Sequence, residues 1–80
     1  MAVKLVFLGR LADIAGGPDR EVESPLDWRG LLDVLNDSVR DWAAGEKVKL
    51  AVNGVILADK TALAAKDGDE VALLPPVSGG

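Results

Sequence analysis

Alternation of apolar and other residues at the start of the chain predicts a β-strand over residues 3–8. Every second position from 3 to 7 is apolar, so one face of this strand belongs to a core. The other face is also mostly apolar, which predicts either a covering layer or a contact surface. A short helical turn over residues 10–15 ends at a Gly-Gly-Pro breaker. Residues 20–23, charged apart from Val22, then predict an edge strand in a hairpin with the first.

Spacings of three and four residues between apolar positions predict the main helix, over residues 28–42. Asp27 is the expected N-cap, because the apolar stripe begins directly after it; a capping box over residues 24–27 is the alternative. Gly30 destabilises the helix by about 1 kcal/mol relative to alanine, so helix formation depends on packing. Because glycine has no side chain, the helix could also approach a sheet closely at this position. The stripe consists of Trp28, Leu31, Leu32, Leu35, Val39 and Trp42.

The second half of the chain has the pattern of three further strands. Asn53-Gly54 separates two short apolar runs, and this pair favours the type I′ turn of a hairpin because both residues accept a positive φ. Residues 58–66 predict a connector with a helical turn, in which Leu63 is the buried anchor. A last, apolar strand is predicted over residues 70–74.

The order of these elements predicts a two-layer α+β fold. A mixed sheet of four to five strands packed on one main helix buries the apolar surfaces of both layers at once. If the last strand pairs with the first, the pair is parallel and central, which explains why both strands carry apolar residues on both faces. This is the β-grasp, or ubiquitin-like, arrangement, and we expect residues 1–76 to form it as one domain.

Composition argues against most catalytic chemistry. The 80 residues contain no cysteine, histidine or tyrosine, so thiolate metal sites and the commonest general base are absent. A net charge of −4 argues against a nucleic-acid partner. No apolar run approaches the roughly 20 residues of a membrane span, and no secretory leader is recognisable, so we expect a cytoplasmic protein without a membrane partner. We expect that the protein is not an enzyme on its own and that it binds no cofactor.

Three neighbouring carboxylates are the one group that resembles a metal site. They belong to Asp67, Asp69 and Glu70. Asp-Gly-Asp before a strand is more typical of a turn, because Asp and Gly dominate turns. We therefore predict a turn here and no metal.

The end of the sequence is its most unusual part. Pro75-Pro76 ends the last strand and stiffens its exit, because proline fixes φ and lacks the N–H donor. Residues 77–80 are expected to form a flexible tail that ends in Gly79-Gly80. Together with the prolines, the tail can reach roughly 20 Å, and glycine lets a partner backbone or a nucleotide approach closely. The alternative is an ordinary frayed chain end.

Two segments carry a resemblance to a known family. They are LAVN at residues 50–53 and DGDEVALLPPVSGG at residues 67–80. Together with the opening strand, the helical turn and the helix, they resemble the small subunit of molybdopterin synthase over essentially the whole chain. The most specific part is the end, which runs from DGDEV through Pro-Pro-Val to Gly-Gly. Family members often have aromatic residues at the positions of Leu73 and Leu74. The two leucines depart from this pattern but keep its apolar character.

The resemblance implies a sulfur carrier in molybdenum cofactor biosynthesis. An enzyme similar to the ubiquitin-activating class would adenylate the carboxylate of Gly80 with ATP, and a sulfur donor enzyme would leave a thiocarboxylate that supplies sulfur to the molybdopterin precursor. Catalysis would take place in the large synthase subunit, in a heterotetramer of two small and two large subunits. The segment threaded into that subunit would be Pro75, Pro76, Val77, Ser78 and Gly79. The missing cysteine fits this role, because the chain can hold sulfur only through a terminal linkage.

An apolar docking patch beside the tail is a further hypothesis, and we define it as Leu8, Ile56 and Leu74. By strand alternation, Leu8 and Leu74 point away from the face of Phe7 and Leu73. Ubiquitin-like folds commonly present an apolar patch on the open face of the sheet. The alternative is that these residues belong to the core, since most apolar residues are buried.

Other functions share these features. A carrier serving thiamine thiazole or cysteine synthesis would have the same fold and the same Gly-Gly end. A protein modifier would be joined through Gly80 to lysines of target proteins. A β-grasp interaction module with an inert tail is the remaining alternative.

Overall fold

A five-stranded mixed sheet forms one layer of the structure. The computed structural model describes residues 2–76. The chain forms seven strands, three helices and one 3₁₀ turn within these residues. In chain order they are β1 (Ala2–Phe7), α1 (Arg10–Ala15), β2 (Asp19–Glu23), β3 (Leu26–Asp27), α2 (Trp28–Val34), α3 (Asp37–Ala44), β4 (Lys49–Val52), β5 (Val55–Ile56), the 3₁₀ turn (Lys60–Ala62), β6 (Ala64–Ala65) and β7 (Glu70–Leu74). The large sheet has the order β2-β1-β7-β4-β5, and β3 pairs with β6.

The first and last strands pair in parallel near the middle of the sheet, as predicted. The register runs from Lys4 opposite Glu70 to Phe7 opposite Leu73. Strand β2 is antiparallel to β1 at one edge, and the β4–β5 hairpin lies on the other side of β7. The α+β class with a β-grasp sheet, which the sequence predicts, is confirmed.

Helix formation differs from the prediction in one respect. The single helix expected over residues 28–42 is divided into α2 and α3, because Leu35 has an extended backbone (φ −85°, ψ 145°). Asn36 then acts as an N-cap, and its side-chain oxygen accepts a hydrogen bond of 2.9 Å from the N–H of Val39. Asparagine is common at this position, because the oxygen of its short side chain accepts a hydrogen bond from an N–H group in the first turn that has no partner within the helix.

Arg40 stabilises the break from the other side. Its Nε donates to the carbonyl of Leu32 at 2.8 Å, and its Nη2 donates to the carbonyl of Leu35 at 3.1 Å. These carbonyls lie at the end of α2, where no further helical turn supplies N–H donors. The apolar stripe nevertheless stays on the inner side, and Leu31, Leu35 and Val39 are all buried.

The N-cap of α2 is confirmed at Asp27, whose carboxylate accepts a hydrogen bond of 2.7 Å from the N–H of Gly30. A Cβ at Gly30 would lie 3.1 Å from that carboxylate and 3.4 Å from the side chain of Leu26. The missing side chain therefore makes room for the cap and for β3, rather than for the large sheet as expected. The predicted anchor Leu63 is buried directly after the 3₁₀ turn.

The core lies between the large sheet and the helices. It is apolar throughout, and no polar or charged side chain of the described residues is buried in it. Trp28, Leu32 and Trp42 lie at its edge and are partly buried. Within residues 2–76, no helix has the length and apolar character needed to cross a membrane.

Candidate functional site

The central strand β7 leads directly to the predicted working end of the chain. Leu73 is fully buried, and Leu74, Pro75 and Pro76 are half-buried as the chain leaves the sheet. A Cβ at Gly9 would lie only 3.2 Å from Cγ of Pro75, and Gly9 also has a positive φ of 56°. The turn after β1 therefore packs closely on the first proline, which holds the exit of β7 against the fold.

The predicted tail, residues 77–80, follows directly after Pro76. Val77, Ser78, Gly79 and Gly80 lie outside the described residues. The structure therefore defines the direction from which the tail starts, at Pro76, and the residues that surround this start.

The opposite end of β7 is held by a pair of side chains. Asn53 donates from Nδ2 to the Asp69 carboxylate at 3.0 Å, and its Oδ1 accepts from the N–H of Glu70 at 2.9 Å. The second carboxylate oxygen of Asp69 accepts from the N–H of Lys66, also at 3.0 Å. Asn53 and Gly54 have φ values of 51° and 85°, which confirms the predicted tight turn.

The carboxylate of Asp69 is thus used within the fold. Its hydrogen bond from the Lys66 backbone N–H, followed by the one from Asn53, lowers the pKa of Asp69 below its ordinary value of 3.8. These bonds confirm that Asp-Gly-Asp forms a turn, with Gly68 at a φ of 85°. Among residues 2–76 the carboxylates form no group arranged to hold a metal ion.

The three residues of the hypothesised patch lie on the open face of the sheet, away from the helices. Leu8 is 40% exposed, Ile56 is 58% exposed, and Leu74 is half-buried. The N–H of Leu8 donates to the carbonyl of Leu73 at 3.2 Å, so continuing the β1–β7 register places Leu8 beside Leu74. Ile56 lies at the far edge, roughly 12 Å from Leu74 by strand spacing and rise.

Small side chains separate the two parts of the patch. Ala51 is paired with Ile56 on one side and with Ala72 on the other, and Val6 is paired with Ala72 in turn. This row of residues shares the open face, and Ala51 is absent from the helix-facing core although it is buried. The alternation of β1 already places Val6 on this face. Sequence reasoning missed Ala51 and Ala72, because their place depends on the strand order.

The mixed sheet, with its first and last strands paired in parallel and helices on one face, defines a class of protein, namely small ubiquitin-like β-grasp domains. The sequence pattern of the ThiS family matches residues 5–80, and the chain belongs to this family. Proteins of this family are sulfur carriers or ubiquitin-like modifiers. A comparison with curated protein sequences found no match.

Solved structures agree with this assignment. SAMP1 from Haloferax volcanii is 26% identical, with each chain fully covered and a TM-score of 0.71. A chain in the protein–protein complex of subunits 1 and 2 of the molybdopterin-converting factor from Helicobacter pylori 26695 has the same identity, coverage and TM-score. The putative molybdopterin converting factor subunit 1 from Pyrococcus furiosus is 28% identical, with 96% of this chain and 99% of that chain covered, at a TM-score of 0.71.

The contacts of Asp69 predict an acid-sensitive contribution to stability. Because the pKa of Asp69 is lower in the folded state, its carboxylate stabilises the fold fully above the ordinary pKa of 3.8 and loses this effect as the pH falls through the folded-state pKa. We expect Asp69→Asn to have a lower melting temperature at neutral pH and a smaller fall in melting temperature as the pH is lowered below about 4.

Asp67→Asn is the matched control, because no hydrogen bond within residues 2–76 involves the Asp67 carboxylate. It should keep the pH dependence of the unaltered protein. Parallel melting curves for all three proteins across this pH range would contradict the role assigned to Asp69.

Proposed function

We propose that this protein is the sulfur-carrier small subunit of a molybdopterin synthase, with the carboxyl group of Gly80 as its reactive end. The observation that carries the proposal is that the family match extends through Gly80. The position of β7 at the centre of the sheet supports it, because this strand leads towards that end of the chain. The Pro75-Pro76 exit, with Pro75 packed on Gly9, supports it further, because it fixes where the tail starts relative to the folded body. In this proposal residues 1–76 are the folded body and residues 77–80 the flexible tail.

The proposed chemistry begins with activation in a partner enzyme. An oxygen of the Gly80 carboxylate attacks the α-phosphorus of ATP, pyrophosphate leaves, and a mixed anhydride with AMP forms. A donor enzyme then supplies sulfur at the oxidation level of sulfide, which attacks the carbonyl carbon and displaces AMP. The product is a thiocarboxylate. Adenylation is needed because a free carboxylate has no good leaving group, whereas AMP is one.

The charged carrier then acts as a cosubstrate. The thiocarboxylate is ionised at neutral pH and nucleophilic through sulfur. In a pocket of the large subunit its sulfur bonds to a carbon of the molybdopterin precursor and displaces an oxygen group from that carbon. Water then cleaves the bond between the sulfur and the Gly80 carbonyl, so that the carboxylate is restored and the sulfur stays on the precursor. The Helicobacter pylori neighbour, which is described as a complex of subunits 1 and 2, supports such a large-subunit partner. An assembly of two small and two large subunits in the cytoplasm belongs to this proposal.

The patch of Leu8, Ile56 and Leu74 is the proposed docking surface for the large subunit. Its support is geometric: Leu8 and Ile56 are exposed although apolar, and Leu74 adjoins the tail. Exposed apolar residues on one sheet face are typical of protein interaction sites. Because the patch is next to the tail exit, a partner that covers it is in position to receive residues 77–80.

A protein modifier is the second candidate function. The similarity to SAMP1, whose full name is small archaeal modifier protein 1, favours this function. The SAMP1 structure matches this chain as well as the molybdopterin-converting factor chain does. Both functions activate the same carboxylate, and they differ in the acceptor. Covalent adducts between Gly80 and lysines of other proteins would favour the modifier, and copurification with a thiazole or cysteine synthase would favour those pathways instead.

Chemistry at the final carboxylate predicts that the chain cannot be extended. One alanine added after Gly80 should abolish molybdenum-enzyme activity in cells that depend on this protein, because it moves the carboxylate away from the position that is activated. Deletion of Gly80 should have the same effect. The activity of a molybdenum enzyme in cell extracts is the measurement.

The same alanine added before Met1 is the control, and it should leave the activity unchanged. Full activity of the extended protein, with mass spectrometry showing that the added residue is still present, would contradict the proposal.

Docking through the open face predicts a difference between two neighbouring residues. Ile56→Ala should weaken binding to the large subunit by about fivefold or more, with little change in melting temperature because the side chain is 58% exposed. Val55→Ala is the matched control, because Val55 is 68% exposed but points to the other side of the same short strand. Titration calorimetry measures both affinities.

An equal loss of affinity for the two variants would remove Ile56 from the docking surface. A large loss of stability in Ile56→Ala would also contradict the assignment, because it would place the side chain in the core.

A further inference from the structure

A groove beside the tail exit has a charge opposite to that of the whole protein. Its volume is about 810 Å³, and it lies between the turn after α3, the start of β4 and the end of β7. The side chains around it are Arg10, Trp42, Glu46, Lys47, Lys49, Pro75 and Pro76. The chain as a whole carries a net charge of −4, yet the groove combines three cations with a single carboxylate.

The cations of this groove are not used to hold the fold together. Arg20, Arg40 and Lys60 all donate hydrogen bonds to backbone carbonyls of other segments. In contrast, Lys47 and Lys49 are exposed, and no hydrogen bond or ion pair within residues 2–76 involves their side chains. Cationic groups at a surface that make no internal bonds are available to a partner.

The groove is continuous with both the tail and the open face. Lys49 is paired with Leu74 in the register of β4 and β7, so the cationic residues border the proposed docking patch. Pro75 and Pro76 line the groove and lead to residues 77–80. Four extended residues span at most about 14 Å, so a protein that binds Gly80 in a pocket must come close to this groove.

We infer that the groove binds an acidic segment of the large subunit that receives the tail. This inference rests on the proposed function and adds the chemistry of the contact: carboxylates of the partner lie against Lys47, Lys49 and Arg10, at the rim of the apolar patch. Charges at the rim of an interface chiefly accelerate association and suppress wrong partners. For a protein with a net negative charge, a local cationic surface also orients the encounter, so that the groove faces the acidic partner segment and the tail exit beside it faces the partner.

The test is the association rate with the large subunit, measured by stopped-flow fluorescence at increasing concentrations of KCl. For the variant Lys47→Glu/Lys49→Glu we expect association at about 20 mM salt to be at least about tenfold slower, with little change in the dissociation rate. The difference should vanish towards about 1 M salt, where charges beyond about 3 Å are screened.

Arg29→Glu/Lys66→Glu is the matched control, because it changes the net charge equally at two exposed residues outside the groove. Its association rate should stay well above that of the groove variant. Circular dichroism melting verifies that both variants fold. Equal rates for the two variants, or an unaltered protein whose association is independent of salt, would overturn the inference.

Other occupants of the groove give distinguishable results. Inhibition by inorganic phosphate beyond that of KCl at equal ionic strength would show a small-anion site, and self-association that the groove variant abolishes would show a second copy as the occupant. Either result overturns the inference. If the unaltered protein forms no complex with the large subunit, the proposed function itself fails; a complex that is insensitive to the two lysines contradicts the inference alone.

Discussion

The parallel pairing of β1 with β7 determines the geometry of the whole molecule. It joins the first strand of the chain to the last in the middle of the sheet, with Leu5 opposite Val71 and Phe7 opposite Leu73, all four of them buried. A parallel pair needs a long connection between its strands, and here the connection supplies the helices that cover one face of the sheet. Because β7 is hydrogen-bonded on both sides, by β1 and β4, its end is fixed relative to the core.

The two faces of the sheet have different roles because of this arrangement. The helices cover the side that carries Val3, Leu5 and Leu73, and this side provides most of the hydrophobic stabilisation. On the other face, small residues occupy the centre, and the larger apolar residues Leu8, Leu74 and Ile56 lie towards the rim. The cationic groove borders this face, because Lys49 is paired with Leu74.

Local patterns predicted the main elements, since each has a distinct physical signal. Alternation indicated β1, an apolar run ended by two prolines indicated β7, and the Asn53-Gly54 pair indicated the hairpin, whose positive φ values confirm it. The break at Asn36 was not predicted, because both helices bury the same side and the apolar stripe therefore continues across it. The two-residue strands β3 and β6 were also missed, because strands so short have no recognisable period.

The candidate site could be predicted only in part, for a related reason. The tail is contiguous in sequence and is recognisable from its composition and its resemblance. Leu8 and Leu74 follow from alternation, whereas the row through Ala51 and Ala72 requires the strand order. The cationic groove combines segments that are far apart in sequence, near residues 10, 47 and 75, so no local pattern indicates it.

A folded body that supports one reactive carboxylate is the central claim of this account. The most direct measurement is the intact mass of the protein purified from its native cells while they produce molybdenum enzymes, followed by fragmentation of its C-terminal peptide. The account predicts a population in which one oxygen of the Gly80 carboxylate is replaced by sulfur. A C-terminal carboxylate that stays entirely unmodified under these conditions would contradict it.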